Sequence, residues 1–305
     1  MSRFLVKRLL HTVIILLGVS VVTFFLLYLT GDPVSLFVPF DATPEAVEAL
    51  REAMGFNDPL WVQYLRFFRG MIQGDFGVSL RHRVPALPLV LERLPVTFEL
   101  TFLGMGLAVA LAVPFGVVSA ARRYSFWDNA ASILGLLGQS VPVFYLGLML
   151  ILIFAVKYRL FPANGWDSWR HMVLPAITVG TYSMALIMRL LRSQLLEVLQ
   201  QDYVKTARAK GLAERVVIYK HALRNALLPV VTVVGLQVGV LLGGAVITET
   251  IFAIPGLGRF LIQGIYNRDM PVVQSGVFIF SLSIVAVNLL TDVVYTLLDP
   301  RITYD

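Results

Sequence analysis

Six apolar runs, each near or above the length that crosses a lipid bilayer, constrain this chain more than any other feature of its sequence. They lie at residues 9–29, 96–121, 129–156, 174–190, 227–247 and 272–298. A membrane-spanning helix needs about 20 predominantly apolar residues. Hydrophobic residues make up 57% of the chain and charged residues only 14%, whereas about a quarter of a soluble domain is charged. We therefore predict an all-α polytopic membrane protein with six transmembrane helices.

Basic residues are concentrated in alternate connections between these runs. Of the 25 lysines and arginines, 14 precede the first run, follow the sixth, or lie between the second and third and between the fourth and fifth, if Arg189 at the end of the fourth run is included. Cytoplasmic short loops carry such an excess, so we predict that both termini and the loop 192–226 face the cytoplasm. The net charge of +6 then reflects orientation in the membrane, and we expect no nucleic-acid partner.

The first run could also be the core of a signal peptide, because basic residues precede it. It is too long for such a core and lacks an Ala-x-Ala cleavage pattern, so we predict a membrane helix in residues 1–30. Residues 31–95 then form an extracytoplasmic segment with two predicted helices, one beginning at Pro44 and one spanning 60–71. Residues 96–305 form a five-helix core that includes the loop 192–226.

Prolines mark several of the predicted helix boundaries. Pro95, Pro175 and Pro229 stand at or just before an apolar run, and we take each as lying near a helix start. Pro142 lies inside the third run, where we expect a kink. Glu99 then falls within one turn of a helix start, where a carboxylate complements the helix dipole.

The long polar segment between the fourth and fifth runs, residues 202–229, has a helical pattern of its own and is called the polar hairpin below. Ala207, Ala209 and Lys210 favour helix, and Gly211 offers the backbone freedom that a sharp turn needs. The apolar residues after the turn form one helical stripe: Leu212, Val216, Tyr219, Leu223 and Leu227. One function of such a segment is that of an amphipathic connector whose basic face meets anionic lipid.

The polar hairpin resembles the cytoplasmic loop of ABC importer permeases, in particular those of the dipeptide and oligopeptide branch. The resemblance rests on residues 203–212, YVKTARAKGL, and 221–229, HALRNALLP. Where the general family signature has Glu-Ala-Ala, this chain has Lys205, Thr206 and Ala207, a departure that is usual for the peptide branch. Shorter motifs in the same order extend the resemblance from Gly31 to Arg301.

The resemblance implies the type I ABC importer fold, with a core of the last five helices. It also implies that the polar hairpin is a coupling helix that docks into a cleft of a partner ATPase, and its smallest residues are then small because they enter that cleft. The residues with this implied role are Tyr203, Lys205, Thr206, Ala207, Arg208, Ala209, Lys210, Gly211 and Leu212. The implied partners are a homologous second permease subunit, two ABC ATPase subunits and an extracytoplasmic substrate-binding protein, in the inner membrane of a prokaryote.

The sequence offers little for catalysis. It has no Gly-x-x-x-x-Gly-Lys-[Ser/Thr] phosphate loop, so we expect no enzyme here, and ATP and magnesium to be bound by the ATPase subunits. It has no cysteine, and its four histidines show no metal-ligand spacing, which argues against a membrane-embedded enzyme.

Two other classes of transporter are alternatives to an ABC importer permease, and the identity of the ligand is also open. An ion-driven secondary transporter would need ionisable residues near the membrane midplane, and only Glu99 and Asp292 are available, both near predicted helix ends. An ABC exporter subunit would need long cytoplasmic helix extensions. Dipeptides, longer peptides, glutathione and nickel chelates all remain open as ligands.

Overall fold

The computed structural model describes residues 2–29, 34, 38 and 43–298, and the short motifs at residues 31–33 and 299–301 lie outside them. Within the described residues the elements are helices joined by turns and loops. The helices are α1 Ser2–Leu29, α2 Pro44–Ala53, α3 Leu60–Ile72, α4 Ala86–Ala121, α5 Phe126–Ser140, α6 Val143–Leu150, α7 Trp169–Val198, α8 Asp202–Ala209, α9 Glu214–Val216, α10 Leu223–Ile251, α11 Leu257–Tyr266 and α12 Met270–Leu298. Two π-helical segments, Ile151–Lys157 and Val217–Ala222, continue α6 and precede α10.

The described helices include five that are long and apolar enough to cross a membrane: α1, α4, α7, the continuous Glu214–Ile251 that contains α10, and α12. A sixth crossing is obtained only if a bent pair, Phe126–Ser140 with Val143–Lys157, which turns by 107°, forms one span. The bend falls at Val141, whose backbone is extended, and at Pro142, which lacks an N–H and caps α6. The predicted all-α fold with six apolar segments is confirmed, but the third segment is a broken helix and not a kinked one.

Three predicted helix starts are wrong. The second membrane helix begins at Ala86, so Pro95 lies inside it. Pro175 lies within α7 and Pro229 within α10. In a membrane protein the carbonyl freed by a proline can be satisfied by neighbouring groups, so a proline there does not reliably mark a helix end. Glu99 is consequently far from the first turn of its helix, and the expected pairing with the helix dipole does not occur.

The chain divides into two compact units, and the first comprises Met1–Pro95 and Gly256–Ala286. Here Thr43 caps α2, because its hydroxyl accepts a hydrogen bond from the Ala46 amide. The short helix α11 follows the fifth membrane helix. The Asp269 carboxylate accepts hydrogen bonds from the Ser79 hydroxyl (2.5 Å) and the Leu80 amide (3.1 Å), which fixes the turn that precedes α4.

The second unit comprises Val96–Pro255 and Val287–Asp305 and contains the larger hydrophobic core. Ile187, Leu191 and Leu195 of α7 are fully buried in it. Among the described elements, α7 and α10 form the most extensive helix pair. The polar hairpin joins the ends of these two helices. The sequence-based division at residue 95 concerned position relative to the membrane and stays a prediction.

Candidate functional site

The first arm of the polar hairpin is α8, which is anchored to the second unit by one face. Val204 and Ala207, three residues apart and therefore on one side of the helix, are buried and belong to the same hydrophobic cluster as Val198 and Val217. The remaining residues of α8 are exposed. The arm is therefore fixed in place by apolar packing, with its other side available for contact.

The turn of the hairpin has the geometry that its glycine predicts. Gly211 has φ +76°, a left-handed conformation that is unfavourable for residues with a Cβ atom. Its amide donates to the Arg208 carbonyl at 2.9 Å, which closes the end of α8. A Cβ atom at Gly211 would meet nothing within 4 Å, so the requirement for glycine here comes from the backbone and not from lack of space.

The second arm is not a separate helix. Residues Glu214–Ile251 form one continuous helix, in which the π-helical segment Val217–Ala222 lies between α9 and α10. Single π-helical turns inserted in α-helices are often found at functional sites. The second arm and the membrane-spanning α10 are therefore one helix.

Two polar contacts connect α8 to α9 and to α10. The Arg208 guanidinium donates to both carboxylate oxygens of Glu214, at 2.7 and 3.1 Å, and this contact raises the pKa of Arg208 above its ordinary value. The Asn225 amide donates to the Tyr203 hydroxyl at 2.7 Å, which links α8 to α10. A bidentate pair of this kind restricts orientation as well as distance. The two arms are therefore joined by side-chain contacts at the surface.

The exposed surface of the hairpin is basic and polar. Of the predicted coupling residues, those with exposed positions are Tyr203, Lys205, Thr206, Arg208, Ala209, Lys210, Gly211 and Leu212. At its edge Lys205 pairs with Asp202 at 2.8 Å and lowers the pKa of that carboxyl below its usual range. Eight of the nine predicted coupling residues are thus exposed in this chain, and their role in coupling stays a prediction.

Ala207 departs from the expectation for this surface. Only 6% of the residue is exposed, and it packs within the core of its own chain. The expectation that it is small because a partner's cleft receives it is therefore wrong. Its small size is explained by the close approach of α8 to the hydrophobic cluster. Ala209 is exposed, and its role as a small contact residue stays a prediction.

A buried polar cluster next to the hairpin was missed from the sequence. The Arg192 guanidinium of α7 donates to Asp128 at the start of α5, and the Ser119 hydroxyl of α4 donates to the same carboxylate at 2.5 Å. The Tyr124 amide also donates to it, at 2.9 Å. The cluster ties three helices together close to where α7 leads into the hairpin. Asp128 follows the helix-capping Ser125, but nothing in the sequence connects it to Arg192.

The carboxylates inside the membrane segments are more numerous than the sequence suggested. Glu249 is fully buried in the last turn of α10, where its carboxylate accepts a hydrogen bond from the Thr97 hydroxyl at 2.6 Å. Sequence reasoning missed it because the apolar run ends before it. Glu99 is exposed and accepts from the Trp166 indole at 2.9 Å, while Asp292 is half-buried in α12. Among the described residues, no group of three or more His, Asp or Glu side chains could hold a metal ion.

Comparison with known proteins gives two matching family profiles that together cover most of the chain. Residues 112–304 match the family described as binding-protein-dependent transport system inner membrane component, and residues 1–101 match the N-terminal family of such membrane components. The dipeptide transport system permease protein DppB of Escherichia coli K12 is 41% identical, over 100% of this chain and 99% of its own. The oligopeptide transport system permease protein AppB of Bacillus subtilis 168 and the glutathione transport system permease protein GsiC of Escherichia coli K12 are each 39% identical, over the full length of both chains.

Solved structures share the fold. The MetNI methionine ABC transporter in an inward-facing conformation matches with a TM-score of 0.59 and 18% identity, over 69% of this chain and 96% of its own. An amino acid ABC transporter crystallised with histidines matches with a TM-score of 0.53 and 19% identity, over 70% of this chain and 94% of its own. The fold is therefore that of ABC importer permeases.

Proposed function

Because this chain belongs to the family of binding-protein-dependent transport system inner membrane components, we propose that it is the permease subunit of an ATP-binding-cassette importer for peptides. Members of this family are the membrane components of transport systems and not their ATPases, so the chain is a transport subunit without catalytic activity. The observation that carries the substrate class is its full-length similarity, at 41% and 39% identity, to permeases named for dipeptide and oligopeptide transport.

The working complex contains a second, homologous permease, two ABC ATPase subunits that bind ATP and magnesium, and an extracytoplasmic substrate-binding protein. The polar hairpin is the part of this chain that meets an ATPase subunit. What supports this role is an exposed basic surface on α8, held in place by the buried Val204 and Ala207. A rigid element of this kind can transmit force, whereas a mobile loop would absorb it.

The mechanism is alternating access driven by the ATPase subunits. ATP binding closes those subunits around the nucleotide and displaces the two hairpins that they hold. In this chain the displacement passes to α10 through the continuous helix Glu214–Ile251, and to α7 through the short link after Val198. Through Arg192 it also reaches α4 and α5. The helices then open the central cavity to the outside and receive the ligand.

The orientation that fits this mechanism places both termini and the polar hairpin in the cytoplasm, and α2 on the opposite side. The excess of basic residues in the short loops on one side supports it. The membrane is the inner membrane of a prokaryote, as expected from the family description.

A second ligand class is favoured by one comparison. The relative named for glutathione transport is as similar to this chain as the one named for oligopeptide transport. Glutathione is itself a small peptide, although its first linkage runs through a side-chain carboxyl. The same permease architecture can therefore serve either ligand, and the binding protein would set the choice.

The test is uptake by the complete complex reconstituted in proteoliposomes with its own binding protein. We expect ATP inside the vesicles to drive uptake of labelled dialanine or a tetrapeptide well above that of glutathione. Uptake of glutathione alone would replace the peptide assignment with the second class. Uptake that needs no nucleotide would contradict the importer class altogether.

A further inference from the structure

Helix α3 carries a stripe of large apolar residues that no described part of the chain covers. Trp61, Leu65 and Ile72 are 66%, 54% and 69% exposed. Their spacings of four and seven residues place them on one face of the helix. An apolar surface of this kind on a protein marks contact with a partner or a membrane.

A neighbouring face of α3 packs against α1. The Tyr64 ring meets the Phe24 ring edge-on, with centroids 5.6 Å apart, and the Phe67 ring lies 5.8 Å from Phe24. The Tyr64 hydroxyl and the Ser20 hydroxyl are hydrogen-bonded at 2.8 Å. Ser20 and Phe24, on the side of α1 that meets α3, are both buried. The contact is both apolar and polar, so it fixes the level of α3 along α1.

That level lies inside the membrane-crossing part of α1, whose apolar span is Leu10–Leu27. With a rise of about 1.5 Å per residue, Phe24 is about 5 Å and Ser20 about 10 Å from the end of that span. Beside the contact, α1 exposes Val22 and Phe25, as a lipid-facing helix does. A helix that packs on α1 at this depth has its free face in the boundary between headgroups and acyl chains, and not in water.

We propose that α3 is an interfacial membrane helix and that its stripe of Trp61, Leu65 and Ile72 is covered by lipid. Tryptophan is enriched at this boundary, where its ring suits an environment that is apolar on one side and polar on the other. Arg69 borders the stripe and is exposed, so its long side chain can reach a lipid phosphate while its stem stays in the apolar layer. Lipid therefore satisfies both the apolar stripe and the charge beside it.

The inference rests on insertion of α1 in the membrane and not on the identity of the transported ligand. The segment between α1 and α4 then contains one helix in water, α2, and one helix in the membrane boundary, α3. The extracytoplasmic part that a binding protein can approach is correspondingly smaller.

The test uses the absence of cysteine, which allows single spin labels in the assembled transporter. Leu65→Cys and Ile72→Cys are labelled one at a time in phospholipid nanodiscs, with Glu52→Cys on the exposed surface of α2 as the matched control. Collision with oxygen, which concentrates in lipid, is compared with collision with a water-soluble nickel chelate. We expect an oxygen-to-nickel collision ratio at both α3 positions severalfold above that of the control.

Either of two results would overturn the proposal. If nickel reaches the α3 labels as readily as the Glu52→Cys label, the stripe faces water. If both reagents are excluded from the α3 labels, another protein chain covers the stripe. Since all three positions are exposed, labelling leaves packing intact, and ATPase activity of the labelled complex verifies assembly. Loss of peptide uptake would bear on the proposed function alone and leaves this measurement unaffected.

Discussion

The Arg192 guanidinium forms a bidentate ion pair with the Asp128 carboxylate, Nε to Oδ1 at 2.7 Å and Nη2 to Oδ2 at 2.9 Å. The Asp128 side chain is 3% exposed and the Arg192 side chain 29% exposed. Such a pair fixes the mutual orientation of α5 and α7 at the end of α7 that leads to the polar hairpin. It is also a contact whose loss leaves a charge without its partner.

The first prediction concerns that ion pair. Asp128→Asn keeps the shape of the side chain but removes the charge opposite Arg192, so we expect a loss of about 3 kcal/mol in the free energy of unfolding. The measurement is unfolding in detergent, followed by a spectroscopic signal. Asp202→Asn is the control, because the Asp202 side chain is 95% exposed, and exposed pairs contribute little. Equal stability of the two variants would contradict the structural role of Asp128.

The second prediction concerns the turn of the hairpin. Gly211→Ala should lower stability by about 1 kcal/mol, because φ is +76° and an L-residue is strained there. Gly211→Asn should lose less, since asparagine adopts this conformation more readily. Gly243→Ala serves as the control: its Cβ also meets nothing within 4 Å, and its φ is not positive. If Gly211→Ala leaves stability unchanged, the turn can rearrange and the prediction is contradicted.

The third prediction concerns orientation. A cysteine at Glu45 should react with a membrane-impermeant maleimide in intact cells, whereas a cysteine at Arg123, in the short loop between α4 and α5, should react only after the membrane is permeabilised. Both positions are exposed, and the parent chain has no cysteine to give a background. The reverse labelling pattern would invert the topology.

The fourth prediction concerns the energy source. Glu249→Gln keeps an oxygen that can accept the hydrogen bond from Thr97 but cannot carry a proton. We expect uptake by this variant to remain dependent on ATP, and the same for Glu99→Gln and Asp292→Asn. Uptake by the parent complex that is driven by a pH gradient without nucleotide, and lost in Glu249→Gln, would instead indicate a proton-driven transporter.

Hydropathy predicted the fold well but not how its helices are joined. The bend at Pro142 lies within an unbroken apolar run, so an average over that run cannot detect it. The early start of α4 was hidden by Glu92, Arg93 and Pro95, which have the composition of a loop. Continuity between the polar hairpin and α10 was hidden by Pro229.

In the candidate site, the sequence predicted features that depend on neighbouring residues but not contacts between residues distant in the chain. The left-handed turn at Gly211 follows from local backbone chemistry, and the sequence predicted it. The pairing of Asp128 with Arg192 joins residues 64 positions apart, and nothing in a single sequence links them. The burial of Ala207 was missed for a related reason, since an alanine on a helix gives no pattern that separates its own core from a partner's cleft.

The fifth prediction concerns docking of the polar hairpin. Ala209→Trp adds bulk on the exposed side of α8, so the chain should fold and insert normally while the fit to an ATPase subunit is lost. Ala207→Trp is the contrasting variant, because Ala207 is buried and a larger side chain there disturbs packing within this chain itself. We therefore expect Ala207→Trp to lower stability by about 1–3 kcal/mol and Ala209→Trp to leave it unchanged.

The most direct test of the coupling role is ATP hydrolysis by the reconstituted complex, measured with and without peptide-loaded binding protein. We predict that Ala209→Trp abolishes the stimulation by loaded binding protein, whereas Lys205→Gln retains most of it. Assembly of each variant complex is checked by co-purification of the ATPase subunits, where weakened retention in Ala209→Trp would equally indicate lost docking. Full stimulation and full assembly in Ala209→Trp would contradict the coupling role and leave the polar hairpin as a connector that lies on lipid.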